Sequence, residues 1–271
     1  MRRGKTIQQR YGGKKSSGMG LKRKIVVLVV ILCVVTVALV VGGVIVYKGL
    51  GQSDFFQITA TRIEGCRRTT KNLILELSGV DVHSNLLALD LDRIEKNIES
   101  HEWVESIDIE RVWPNLLNIT VKEREPVAIV SLAKGLFYLD GKGVAFAQVL
   151  PPEDMDYPVI SGLDQEHWPE KVKGSALDEA LQFIRYAGNG SSILPRQNIS
   201  ELNLKNKDDI ILFLVNRPFP IHLGQGEIRT KYYLLAKVLY RLYKKDEFSQ
   251  IAYIHMNYTP NKVLVGFAGP V

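Results

Sequence analysis

Paired carboxylates are the residues of this sequence with the clearest potential for acid–base chemistry. They occur at Glu123-Arg124-Glu125, Glu153-Asp154 and Asp208-Asp209. A hydrolase that cleaves a glycosidic bond needs two carboxyl groups that flank the bond. All three pairs fall in predicted turns or at predicted strand ends, where solvated charge is expected. They therefore do not predict catalysis.

Other patterns that are typical of active sites are missing or incomplete. The chain has no Gly-x-Ser-x-Gly sequence, and its five histidines and two cysteines show no His-x-x-x-His or Cys-x-x-Cys spacing. Gly224-x-Gly226 precedes a predicted helix, but it lacks the third glycine of a phosphate-binding loop. The residue that follows is Glu227, whose charge opposes an anion. We therefore expect a protein without catalytic residues, cofactor or metal site.

The best candidate for a functional site is the last predicted strand, residues 262–267. It pairs with a predicted strand over residues 251–257 across a turn at Thr259-Pro260-Asn261. A strand at the edge of a sheet leaves backbone N–H and C=O groups unpaired, so a partner peptide can add a strand there. The alternative, that the protein itself covers both faces, is equally compatible with the sequence. Apart from Lys262, the strand is uncharged, and it is apolar on both faces: Val263, Leu264, Val265 and Phe267.

One segment determines where such a site would act. Residues 25–46 contain no charged side chain, and Lys22-Arg23-Lys24 precedes them. As a helix with a rise of about 1.5 Å per residue, this segment is about 33 Å long, enough to cross a hydrocarbon core of about 30 Å. The apolar region of a signal peptide is shorter, about 7–15 residues. The sequence therefore predicts a single uncleaved membrane anchor.

The charge distribution predicts the orientation of this anchor. Residues 1–24 hold nine of the 35 Lys and Arg residues and no Asp or Glu, which leaves 26 basic and 29 acidic residues for the rest of the chain. A basic flank beside the first span stays in the cytoplasm. The predicted organisation is a cytoplasmic tail (1–24), a transmembrane helix (25–46), a juxtamembrane linker (47–56) and two extracytoplasmic domains (57–125 and 126–271).

Hydrophobic periodicity predicts a β-α-α-β-β order in the first extracytoplasmic domain. A strand is predicted over residues 56–63, and Thr69-Thr70 and Asp90 are positioned to cap two short helices. Residues 104–112 and 117–121 alternate apolar and polar side chains, as two further strands would. Three strands with two helices on one face form a compact α+β arrangement.

The second extracytoplasmic domain is predicted to be rich in strands and to carry two helices. A capping box at Ser175 begins the first helix, and the second covers residues 227–245. The aromatic row on that second helix, Tyr232, Tyr233, Tyr240 and Tyr243, is predicted mostly to pack against the protein and at most to form part of an interaction face. In addition to the closing pair, strands are predicted over residues 127–130, 137–146 with an internal turn, 199–204 and 210–215.

The turn and the exit of the first domain carry a family resemblance. Trp113-Pro114-Asn115-Leu116 and Glu123-Arg124-Glu125-Pro126-Val127-Ala128 resemble the W-P-x-x-L turn and the E-R-x-P-V-A exit of the POTRA module in the bacterial cell-division family FtsQ/DivIB. The short basic tail, the single span and the second domain are also similar to the organisation of that family.

The resemblance implies a non-enzymatic scaffold in the bacterial inner membrane at the division septum. It implies that the last strand binds FtsB, with FtsL alongside, to control septal peptidoglycan synthesis, and that the POTRA module contributes to localisation through FtsK. Where the family has an arginine before a tyrosine, this chain has Asn257 before Tyr258. The implied contact residues are Tyr258, Val263, Leu264, Val265, Gly266 and Phe267.

Two other function classes compete with this interpretation. A POTRA-type periplasmic chaperone or assembly factor would receive exported polypeptides on the edge of its sheet. Such proteins usually carry tandem POTRA copies, whereas this chain shows one. A cell-wall enzyme fits least, because the sequence lacks an active-site pattern.

Overall fold

The fold is described from a computed structural model of the chain. It describes residues 20–50, 54–81, 83–151, 156–163, 168–188, 194–206, 208–215, 217–245, 248–259 and 262–268. The chain divides into two compact units. The first comprises Met1–Thr61, Asp81–Leu89 and Arg111–Leu117, and the second comprises Arg62–Val80, Asp90–Glu110 and Asn118–Val271. The domain limits predicted from the sequence stay predictions.

Helix α1, Leu21–Leu50, contains the predicted anchor. A stretch of 18 residues within its segment Arg23–Val46 has a mean hydropathy of 3.4, and none of that stretch is buried within the protein. The helix is long and apolar enough to cross a membrane. A polar side chain inside it, Thr36, donates its hydroxyl hydrogen to the carbonyl of Leu32 at 2.8 Å and so needs no external partner.

The entry to the first domain after α1 differs from the prediction. Residues Asp54–Phe56 form a 3₁₀ turn, and strand β1 covers only Ala60–Glu64, so the strand predicted from residue 56 was wrong over its first half. The backbone of that first half pairs instead with residues 84–86, because Leu86 N–H donates to Phe56 O at 2.8 Å and Ile58 N–H donates to Ser84 O at 2.9 Å.

The remaining elements of this domain confirm the predicted β-α-α-β-β order. Helices α2 (Lys71–Ser78) and α3 (Leu91–Glu99) follow β1, and strands β2 (Val104–Val112) and β3 (Leu116–Glu123) complete a sheet in the order β1-β3-β2. In β3, Leu117, Ile119 and Val121 are buried and alternate with polar residues, as the sequence predicts.

Local side-chain chemistry explains where the two helices begin and end. The hydroxyl of Thr70 accepts a hydrogen bond from Leu73 N–H, and the carboxylate of Asp90 accepts one from Arg93 N–H, both at 3.2 Å. These bonds satisfy amide groups that have no partner within the helix. Gly79 ends α2 in the left-handed region, with φ 61°, as glycine allows.

The second domain after α1 is a nine-stranded mixed sheet with two long helices, α4 (Ala176–Gly188) and α5 (Ile228–Lys244). The strand order is β12-β11-β10-β9-β8-β7-β4-β5-β6. The strands are β4 (Pro126–Leu132), β5 (Gly135–Asp140), β6 (Ala145–Gln148), β7 (Val159–Ser161), β8 (Ile199–Asn206), β9 (Asp209–Leu214), β10 (Arg217–His222), β11 (Ile251–Thr259) and β12 (Lys262–Phe267).

Strand β10 was not predicted, because its sequence Arg-Pro-Phe-Pro-Ile-His contains two prolines. Proline lacks a backbone N–H and is unfavourable in a central strand. The structure accommodates it by an irregular register between Arg217 and Ile221 against β9. Burial of Phe219 and Ile221 in the core favours the extended conformation in spite of the missing donors.

The core of this domain lies between the sheet and the helices. Leu177, Leu181 and Ile184 of α4 are buried, as predicted. The predicted apolar face of α5 is also buried. Of the four tyrosines on this helix, Tyr232 lies in the core, whereas the other three are exposed. The prediction that this row mostly packs against the protein was therefore wrong. The exposed members are Tyr233, Tyr240 and Tyr243.

Candidate partner-binding edge

Strand β12 is the terminal strand of the nine-stranded sheet. It pairs antiparallel with β11, with Val265 opposite Ile254 and Leu264 opposite His255. Within the part of the chain that the structure describes, no strand lies on the other side of β12. The sequence therefore correctly predicted a strand at the edge of the sheet. β-Augmentation requires an edge of this kind.

The protein covers the side chains of β12 unevenly. Val263 and Val265 are partly buried and pack against the core of the domain. Leu264 and Phe267 remain 38% and 50% exposed. Two of the apolar side chains of β12 therefore hold the strand on the protein, while two others leave apolar surface exposed beside the edge.

The backbone of β12 also presents hydrogen-bonding groups outward. Ala268 N–H donates to Gln250 O at 2.7 Å, which fixes the direction of the backbone groups at the end of the strand. In an antiparallel ladder, successive residues turn these groups toward and away from the neighbouring strand. The extra residue near Tyr253 lies in β11, so the alternation along β12 is kept. We infer that the N–H groups of Val263, Val265 and Phe267 point away from β11.

A close contact between Tyr253 and Gly266 shapes the surface beside this edge. Gly266 lies opposite Tyr253 in the register of the two strands. A methyl group at position 266 would lie 2.4 Å from Tyr253 Cζ and 2.5 Å from Cε1, closer than such atoms approach in proteins. The glycine therefore allows the tyrosine ring to lie flat against β12.

A histidine pair continues this surface across the sheet. His255 of β11 lies opposite both Leu264 of β12 and His222 of β10. The two imidazole rings stack with centroids 4.1 Å apart, and His222 Nδ1 lies 2.6 Å from Asp209 Oδ2. Burial lowers the pKa of His255, and the charge of His222 lowers it further, although Asp209 opposes both effects. The net effect favours the neutral form of His255.

Sequence reasoning located the edge but not the residues around it. His222, His255 and Asp209 lie far apart in the chain, and their juxtaposition depends on strand β10, which the prolines concealed. Tyr258 lies within strand β11, but its side chain and that of Asn257 are outside the described part of the structure. That Tyr258 and the residues of β12 bind a partner stays a prediction.

The exit motif of the first domain has a structural role. The carboxylate of Glu123 accepts hydrogen bonds from the backbone N–H groups of Arg67, Arg68 and Thr69 at 2.8–3.1 Å, and one from the Thr69 hydroxyl. Burial raises the pKa of Glu123, but the bonds from Thr69, Arg68 and Arg67 outweigh it and lower the pKa to about 2. The carboxylate thus holds the loop before α2 in place.

Arg124 of the same motif holds the turn between β5 and β6. Its guanidinium lies 3.0 Å from Asp140 Oδ2, and Asp140 Oδ1 accepts hydrogen bonds from Lys142 N–H and Val144 N–H, both at 2.9 Å. Asp140 is buried, and each of its oxygens has a donor. The third residue of the motif, Glu125, is exposed and pairs with Arg67 at 3.2 Å. These contacts indicate a structural role for the carboxylates of Glu123 and Glu125.

Two sequence-family profiles match the chain. The profile described as POTRA domain, FtsQ-type, matches residues 56–124, and the profile described as Cell division protein FtsQ/DivIB, C-terminal, matches residues 128–257. The second match ends before β12, so it does not include the exposed edge.

Curated relatives agree with these matches over most of their length. The cell division protein FtsQ of Syntrophotalea carbinolica is 32% identical over 209 residues, which cover 76% of this chain and 73% of the relative. The protein of the same description from Anaeromyxobacter sp. is 31% identical over 80% of this chain and 74% of its own length. The one from Geobacter sp. is 29% identical over 83% and 81%.

Proposed function

Because this chain belongs to the FtsQ/DivIB family of non-enzymatic cell-division proteins, we propose that it is a division-site scaffold whose strand β12 binds FtsB, with FtsL alongside. The observation that carries this proposal is the open edge of β12, with apolar side chains and outward backbone groups next to it. Binding there requires no covalent step. It would position the partners that control septal peptidoglycan synthesis.

The proposed mode of binding is β-augmentation. The carbonyl groups of a partner strand beside β12 would accept hydrogen bonds from the outward N–H groups of Val263, Val265 and Phe267. The side chains of that strand would cover the exposed parts of Leu264 and Phe267. Backbone bonds give affinity in this mode, and side-chain pockets give specificity. Tyr253, which lies over Gly266, would form one wall of such a pocket.

The proposed topology places this edge outside the cytoplasm. The nine basic residues before residue 25 favour a cytoplasmic N-terminus, and α1 supplies one span. In this orientation both extracytoplasmic domains would reach partners in the envelope. A contribution of the POTRA domain to localisation through FtsK belongs to the same proposal.

Substitution of Val265 by proline tests the edge directly. Proline removes the outward N–H and fixes φ near −65°, away from strand values. We expect the full-length chain in detergent to lose at least about tenfold in affinity for FtsB, equivalent to about 1.4 kcal/mol. Phe267→Asp should weaken binding similarly, because it places a charge on the apolar contact surface. Calorimetry measures both effects.

A matched control separates this effect from general damage. Tyr240, on the exposed side of α5, is about as exposed as Phe267, and Tyr240→Asp should leave FtsB affinity unchanged. Circular dichroism should show that all three variants keep the wild-type fold. Unchanged affinity of folded Val265→Pro and Phe267→Asp proteins would contradict binding at β12.

A further inference from the structure

Exposed aromatic side chains cluster in the first compact unit, and one of them, Phe55, is close in sequence to the end of α1. Phe55 and Trp113 are 66% and 57% exposed, and Val112 is also exposed. Phe56 lies between the two rings, with its centroid 5.1 Å from that of Phe55 and 5.9 Å from that of Trp113. Large apolar side chains exposed together usually mark an interaction surface.

The backbone beneath this aromatic cluster is well tied. Thr59 N–H donates to Asn115 O at 3.0 Å, and Leu86 N–H donates to Phe56 O at 2.8 Å. Arg111 donates from its guanidinium to the carbonyls of Leu86 and Leu89 at 2.9 and 2.7 Å. The aromatic rings therefore stand on an ordered support, so a partner could bind them without ordering the chain first.

Chain length places this cluster near the membrane surface. Helix α1 ends at Leu50, only five residues before Phe55. Five residues span at most about 17 Å when fully extended. The headgroup region outside the hydrocarbon core is about 5–8 Å thick on each side. Leu50 lies about 6 Å along the helix from Val46, the end of the candidate span. Taken together, these distances put Phe55 within reach of the lipid headgroups.

We propose that Phe55, Val112 and Trp113 dock onto the headgroup region of the membrane leaflet on the C-terminal side of α1. The proposal rests on the membrane anchoring in the proposed function. Aromatic side chains favour this region because their rings are apolar, and because the indole N–H of Trp can donate a hydrogen bond to water or to a headgroup. Tyr47, near the end of the span, belongs to the same zone by sequence. The contact holds the turn at Trp113 against the bilayer.

Tryptophan fluorescence in bilayers tests this docking. The chain contains three tryptophans, Trp103, Trp113 and Trp168, and none lies in α1. The full-length chain is reconstituted in phosphatidylethanolamine and phosphatidylglycerol vesicles, with or without brominated acyl chains that quench nearby tryptophan. We expect brominated lipid to reduce the emission of the wild-type protein. Trp113→Phe should lose this quenching, whereas Trp168→Phe should keep it.

The outcomes separate docking from the rest of the proposed function. Equal emission in both kinds of vesicle, or quenching that persists in Trp113→Phe, would overturn the proposal and favour a protein partner for the cluster. Vesicle flotation reports anchoring by α1 independently of the fluorescence. Affinity for FtsB should be unchanged in Trp113→Phe, since β12 belongs to the other compact unit. Phe55→Ser should weaken quenching of Trp113, and unchanged quenching would remove Phe55 from the docking surface.

Discussion

Replacing Glu123 by glutamine tests whether the exit motif stabilises the fold. The carboxylate receives three backbone N–H bonds and one hydroxyl bond from residues 67–69. Glutamine keeps the length of the side chain but removes the negative charge, and it replaces one acceptor oxygen by an NH₂ donor. That donor would point at other donors.

The magnitude follows from the pKa of Glu123. Its value of about 2, against an ordinary value of 4.5, means that the fold favours the charged form. At about 1.36 kcal/mol per pKa unit, a difference of roughly 2.5 units corresponds to about 3 kcal/mol. We therefore expect Glu123→Gln to lower the free energy of unfolding by about 2–3 kcal/mol at pH 7.

Urea unfolding of the full-length chain in detergent micelles, followed by tryptophan fluorescence, measures this loss. Glu125→Gln is the matched control, because Glu125 is exposed and its pair with Arg67 is solvated. Such pairs contribute about 0–1 kcal/mol. A loss in Glu123→Gln no larger than in Glu125→Gln would refute the structural role of the Glu123 carboxylate.

The pH dependence gives a second test of the same carboxylate. Because the pKa of Glu123 is lower in the folded than in the unfolded chain, the unfolded chain binds the proton first as the pH falls. The stabilisation is fully present above about pH 5 and is lost as the pH falls from the ordinary value of 4.5 towards 2. Glu123→Gln should remove this part of the pH dependence.

Two further predictions concern the surface beside β12. Gly266→Ala should cost about 1 kcal/mol of stability, because the new methyl group displaces the ring of Tyr253. Urea unfolding should show that adding Tyr253→Ala removes most of this cost. If the losses of the two substitutions add up instead, the contact between the two residues is contradicted. The pKa of His255 is below its ordinary value of 6.5, so stability should fall as the pH is lowered through 6.5 and the unfolded chain takes up the proton. His255→Gln should flatten this dependence between pH 7.5 and 5.5, and an unchanged slope would show that another group titrates.

Most of the fold could be predicted because its signals are local. The uncharged segment before Val46, the caps at Thr70 and Asp90, and the alternation in β3 each involve residues close together in the chain. The last strand was also evident, because its apolar run follows a turn and no further strand follows it in the described residues. The order of the helices and strands could therefore be predicted from residues that are close together in the chain.

The features that escaped prediction depend on long-range register. Strand β10 contains prolines, and only the burial of Phe219 and Ile221 against distant elements favours it. The stacking of His222 on His255 requires β10 to lie beside β11, 33 positions later in the chain. The bonds of Glu123 likewise reach a loop more than 50 positions earlier. No local pattern could have indicated these pairings.

Site-specific photocrosslinking in living cells tests the central claim most directly. A photoreactive residue at position 264 or 267 on β12 should crosslink to FtsB, whereas the same residue at position 240 on the exposed side of α5 should not. Identification of the crosslinked protein by mass spectrometry decides between partners. Crosslinking to many unrelated exported polypeptides, or none at β12 while position 240 captures FtsB, would contradict a dedicated partner-binding edge.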